Sequence, residues 1–213
     1  MEFDDPIKKI KERKKQINSV ISYAKTLVGV PYRWHRSGDI IEGNDKFWAE
    51  NGASVSREEI NRLDKSIVCT GLINLMRRFM GLSIPGIDGS LNDIEGNIYP
   101  GTTGIWFEYL KRHKRLQKLN VKKQYPKGTL LIRDFYDIET DQGHVAVIID
   151  DTAPNILGQH IIHAYAKYAY NISKDMKNVG KTGTMKFVSS HYFDSDDGYY
   201  THICLPENWL LKD

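Results

Sequence analysis

The sequence has little cysteine: two residues, Cys69 and Cys204, in a chain of 213. Two thiols so far apart do not make a disulfide framework, and they suit a reduced, intracellular setting. No run of about 18 apolar residues occurs, which excludes a hydrophobic membrane-spanning helix. The opening segment, "MEFDDPIKKIKERKKQ", has neither an apolar stretch nor a small-residue cleavage site, so no secretory signal is expected. Internal repeats and low-complexity tracts are missing as well. So is any large excess of charge, since 30 Lys and Arg against 27 Asp and Glu leave a net +3. The cations gather in "KKIKERKK" and in residues 111–123, opposite an acidic "DSDD" at 194–197. Without interleaved aromatics or a nucleic-acid motif, such clusters read as solvated helix faces, and nucleic acid is not an expected partner.

What is present suffices for one core. At 40% hydrophobic and 11% aromatic residues, a single domain over residues 1–213 is expected. Apolar positions Ile10, Ile17, Val20, Ile21, Ala24, Leu27 and Val28 recur three or four apart, giving an amphipathic helix stopped by Gly29 and Pro31. "SREEINRLDK" predicts a short helix with Ser56 as N-cap and Glu59 as its box partner. A third helix begins at Cys69 and buries Leu72, Leu75, Met76, Phe79 and Met80 before Gly81 ends it. Residues 83–101, rich in Gly, Pro, Asn and Asp, read as a long loop. A fourth helix is expected over 104–117, burying Ile105, Trp106, Tyr109, Leu110 and Leu116.

The period then changes. "GTLLIRDF", "GHVAVIID", "HIIHAYAKY", "TMKFVSS" and "YYTHICL" are short β-branched and aromatic runs between turn formers. Helices first and antiparallel strands after them make an α+β fold, the sheet packed on the preceding helices.

Three residues could share one chemistry. A thiol in the first turn of a helix meets unpaired N–H groups and the positive end of the helix dipole. Both favour the thiolate, the nucleophilic form, although free cysteine is also among the most buried residue types. His144 opens a strand, where an imidazole can serve as base; a histidine there can also simply bond a backbone carbonyl. On the next strand His160 and His163 alternate in facing. Paired as a hairpin, one of them can reach the distal nitrogen of His144 and orient it. Zinc held by these residues is disfavoured, because the paired ligand spacing of such sites is absent. No metal or cofactor is expected.

In that order, Cys69, His144 and His163 resemble the NlpC-type branch of the papain-like cysteine hydrolases, best known as bacterial cell-wall peptidases. "GVPYRWHRSGD" resembles the family's opening segment and "VCTGLINLMRR" its nucleophile helix. "YPKGTLLIRD" resembles the strand before the histidine, and "GHVAVIID" with "IIHA" resembles the base strand and the strand of the third polar residue. The resemblance covers roughly residues 24–166. It implies Cys69 as nucleophile, His144 as general base and His163, before Ala164, as orienter in preference to His160. Tyr32 aligns with a tyrosine beside the nucleophile that helps hold substrate or the oxyanion; it could equally be a core aromatic. The backbone N–H of Cys69 is the natural oxyanion donor.

The implied reaction is cleavage of an amide, in a peptide or isopeptide, through an acyl-enzyme. An acyl ester or thioester substrate is the alternative, as is a catalytically silent binding module on the same fold. The chain departs from the family in three places. Val68 replaces the usual acid before the nucleophile, residues 35–66 form an insertion, and the turn "DDTAPNILGQ" is long. An insertion beside the cleft shapes specificity or covers it. Family members are normally exported, so a chain without an export segment is expected in the cytoplasm or carried in a virion or other particle.

Overall fold

The computed structural model describes residues 6–32, 55–62, 66–86, 101–134, 143–166, 180–187 and 200–211. Helix α1 (Pro6–Thr26) leads through a turn into β1 (Pro31–Tyr32). Helices α2 (Arg57–Arg62), α3 (Cys69–Phe79) and α4 (Thr103–Arg112) follow. Then come β2 (Gln117–Lys118), β3 (Leu130–Arg133), β4 (His144–Ile148), a 3-10 turn (Ile156–Gly158), β5 (His160–Ala166), β6 (Gly180–Lys186), β7 (His202–Cys204) and a short α5 (Pro206–Trp209). The class is α+β. Most of the expected insertion, and residues 87–100 of the expected loop, lie outside the described residues. Among the described residues no helix is long and apolar enough to cross a membrane.

One seven-stranded sheet runs β1-β6-β5-β4-β3-β7-β2, with every neighbouring pair antiparallel. Side chains of a strand alternate between faces, and the two faces bury separate clusters. Val145, Val147, Ile162 and Ala164 pack with Leu72, Ile73 and Met76 of α3, Trp106 of α4 and Val20 and Ala24 of α1. Ala146, Ile148, Ile161, Leu131 and Ile203 point the other way, against Tyr125, Phe187 and Tyr200. The near-continuous apolar run of β4 thus reflects a strand covered on both faces.

Helix α3 is more buried than an amphipathic stripe predicts. Every residue from Cys69 to Arg78 is buried, polar ones included. Asn74 donates to the Gly101 carbonyl at 3.1 Å and accepts from the Trp106 indole N–H at 2.8 Å. Arg77 donates to the carbonyls of Ser83 and Trp209, and its guanidinium lies 5.6 Å from the centre of the Trp106 ring. Buried polar groups persist because they are bonded; removing one partner costs about 1–3 kcal/mol for each group left unmatched. The helix closes as its sequence predicts. Gly81 has φ +66°, its N–H bonds Arg78 O and the Leu82 N–H bonds Arg77 O, the paired bonds of a glycine C-cap.

Several other boundaries agree with the sequence, and some move. The Ser56 hydroxyl accepts from the Glu59 N–H at 3.1 Å, the N-cap bond expected for α2. Helix α4 stops at Arg112 rather than 117, because Lys114 takes φ +55° and turns the chain toward β2. Of its expected buried set, Ile105, Trp106 and Leu110 are buried, as is Phe107, whereas Tyr109 and Leu116 are only partly covered. The strand expected around "TMKFVSS" starts earlier, at Gly180. Strands β1 and β2 have two residues each, too short to leave a periodic signal.

Candidate functional site

Cys69 is the first residue of α3, preceded by Val68 in extended backbone with no side-chain cap bond. That start is held from upstream: the Ile67 N–H donates to the Pro31 carbonyl at 2.9 Å, and Tyr32 bridges Ile67 in parallel. Tyr32 is buried in the same cluster as Cys69. The segments of Tyr32 and Cys69 are therefore neighbours, and both side chains sit in a packed core.

The Cys69 Sγ lies 3.8 Å from the hydroxyl of Thr103, the first residue of α4. The thiol thus lies beside two helix starts, where backbone N–H groups and positive dipole ends gather. Thr103 also adjoins Gly143. A Cβ at Gly143 would come within 2.4 Å of the Arg133 carbonyl and 2.8 Å of the Thr103 methyl, and φ is +74°. Only glycine fits where the chain enters β4 beside Thr103.

His144 follows immediately and is buried. Its Nε2 lies 3.1 Å from Nδ1 of His163 on β5, also buried. The register explains the pairing: Val147 faces Ile162 and Ile148 faces Ile161. Continued toward the start of β4, it puts Tyr165 opposite His144 and His163 on the diagonal, close enough for long side chains. Tyr165 stacks on His163 at 5.1 Å with the planes 2° apart and meets the His144 ring at 5.9 Å. The Tyr200 hydroxyl lies 3.2 Å from the same His163 Nδ1.

His160 goes elsewhere. Its Nδ1 pairs with the Asp150 carboxylate at 2.6 Å on the exposed face of the turn. Of the two histidines on β5, His163 alone reaches His144. The structure also separates what the sequence grouped. Cys69 belongs to the helix-side core, whereas alternation sets His144 and His163 on the opposite face with Ala146 and Ile161. Thr103 and Gly143, at the mouth of β4, are the link between the two layers.

Sequence reasoning missed Thr103, Gly143, Tyr165 and Tyr200. Tyr165 was within reach, being two residues after His163 and so on the same face, and a glycine directly before a strand-opening histidine is also a signal. Thr103 and Tyr200 arrive only by tertiary packing. Among the described residues no three His, Cys, Asp or Glu side chains converge as a metal site needs. No family model matches the chain, and no curated protein matches it.

Proposed function

We propose that the chain is a cysteine hydrolase of NlpC type with a papain-like fold, cleaving an amide bond in a peptide or isopeptide. The observation that carries this reading is the buried His144–His163 contact at 3.1 Å, at the mouth of the strand whose preceding glycine adjoins Thr103, the neighbour of Cys69. A base held by a second side chain, in a protein with a helix-start thiol, supplies the members of the recurring nucleophile–base–orienter set.

The step sequence follows from those roles. The first step of this reading passes the thiol proton to His144 Nδ1, the nitrogen turned away from His163, and it requires the thiol to reach the mouth of β4 past Thr103 and Gly143. The Cys69 thiolate attacks the carbonyl carbon, and the oxyanion takes hydrogen bonds from the Cys69 N–H. His144 gives its proton to the amide nitrogen, the C–N bond breaks, the amine leaves and a thioester remains. Water, losing a proton to His144, attacks the thioester and releases the carboxylic acid and the thiol. Peptides of the bacterial cell wall are the first substrates to try, followed by cytoplasmic isopeptides and acyl esters. Turnover of one of these by wild type, abolished in Cys69→Ala and His144→Ala, is the expected result; folded wild-type protein with an unreactive Cys69 contradicts it.

A specific observation favours a second reading. With Cys69 only 8% exposed and packed in the helix-side core, the same fold could serve as a silent binding module. That reading predicts a thiol no more reactive than an ordinary buried one.

A further inference from the structure

One nitrogen, His163 Nδ1, meets two partners. It lies 3.1 Å from His144 Nε2 and 3.2 Å from the hydroxyl of Tyr200, a side chain only 1% exposed. A neutral imidazole nitrogen carries either one proton or one lone pair, so the two contacts are coupled, and when Nδ1 is bare both donors share its single lone pair in a three-centre bond. If Nδ1 carries the proton, it donates to His144 Nε2. His144 is then protonated at Nδ1, the nitrogen a base needs bare. If Nδ1 carries the lone pair, it accepts from His144 Nε2–H, and His144 Nδ1 is left basic.

We propose that Tyr200 is a positioning residue which donates its phenolic O–H to His163 Nδ1 and so fixes both histidines in the tautomers that make His144 a base. The inference rests on the hydrolase reading and adds a fourth member to its relay, Tyr200–His163–His144–Cys69. The phenol is a far better donor than acceptor toward an imidazole nitrogen, so its proton marks Nδ1 as the accepting side. His163 then keeps its own proton on Nε2. The imidazolium formed when His144 takes the thiol proton still donates from Nε2 to the same lone pair, so the ion pair is stabilised.

The surroundings hold this geometry. The Tyr200 ring lies 5.6 Å from the His144 ring and 6.1 Å from Phe187, the residue after β6. Tyr165 stacks on the other side of His163. Among the described residues, the ionisable and charged groups facing the pair are Tyr165 on β5, Tyr200 before β7 and Arg133, the register partner of His144 on β3. His160 and Asp150 lie on the far side of β5 and take no part.

The test uses the pH dependence of Cys69 alkylation by iodoacetamide in the folded protein, together with 15N NMR of the histidine side chains. Wild type should show His163 protonated at Nε2 and bare at Nδ1, and a Cys69 labelling limb well below the ordinary thiol range. Tyr200→Phe, which keeps the ring, should mix the His163 tautomers. It should also slow Cys69 labelling at neutral pH by about tenfold. In a His163→Gln background, where no tautomer exists to fix, Tyr200→Phe should change the labelling rate no further; a purely structural role would add the same loss in both backgrounds. A proton on His163 Nδ1 in wild type, or a profile unchanged by Tyr200→Phe, overturns the inference and leaves the hydrolase reading standing. A wild-type Cys69 that titrates as an ordinary thiol overturns the hydrolase reading itself. The wild-type tautomer measurement decides the matter even where Tyr200→Phe does not fold.

Discussion

Cys69 and Cys204 are both buried, at 8% and 0% exposure, and both belong to the helix-side core. Their settings nevertheless differ. Cys204 lies within β7, in register with Leu130, and burial among apolar neighbours pushes its thiol up to about 12. Cys69 stands at a helix start against a second helix start, with a hydroxyl 3.8 Å from its sulfur. Both are covered to a similar depth; what distinguishes the two is the helix start and the hydroxyl beside Cys69. The comparison teaches that depth says little about reactivity until the donors around the sulfur are known.

The largest effect should come from exchanging the cysteines' fates. Cys69→Ala should abolish iodoacetamide labelling at neutral pH and lower turnover by a factor on the order of 10⁴ or more. Cys204→Ala should leave both near wild type, as read by peptide mass analysis and a substrate assay. Next are the two histidines of β5. His163→Ala should lower the Cys69 labelling rate about 100-fold, whereas His160→Ala, which loses only a partly exposed contact with Asp150, should stay within about twofold. Equal losses would remove the distinction between the buried and the exposed histidine.

Gly143→Ala probes the link between thiol and histidine. Its Cβ would overlap the Arg133 carbonyl and the Thr103 methyl at a positive φ, so thermal or denaturant unfolding should show a loss of at least about 2 kcal/mol. Thr103→Val keeps the shape and removes the hydroxyl. A lost hydrogen bond of about 1 kcal/mol predicts Cys69 labelling slower by about fivefold, with Cys204 unaffected. The smallest effect is on stability against pH. The Cys204 thiol, raised from 9.0 to about 12 on folding, stays protonated in the native state while the unfolded chain ionises. Its contribution is fully present below pH 9.0 and is lost as pH rises toward 12. Denaturation across that window should be less steeply pH-dependent in Cys204→Ala than in wild type.

Much of the layout was legible because it follows from period and spacing. The 3.6-residue stripes located α1, α3 and α4, although Ile10 of the expected α1 stripe is exposed, and the β-branched runs located β3, β4, β5 and β7. Alternation alone predicted that either His160 or His163, not both, would reach His144, and His163 does so. What the sequence hid depends on contacts between distant segments. Thr103 meets Cys69 across 34 positions and Tyr200 meets His163 across 37, and neither has a local pattern to announce it. The full burial of α3 was hidden for the same reason. Asn74 and Arg77 read as surface residues until Trp106, Gly101 and Trp209 supply their partners. The separation of Cys69 and His144 onto different faces of the sheet, joined at Gly143, is likewise a property of the packed layers rather than of any motif.

The most direct measurement is the alkylation rate of Cys69 relative to Cys204 in folded protein, followed from acid to neutral pH by peptide mass. A reactive site predicts that Cys69 labels at least about 100-fold faster, with reactivity persisting below the ordinary thiol range near 8.5. Cys69 labelling no faster than Cys204 would contradict the proposed hydrolase.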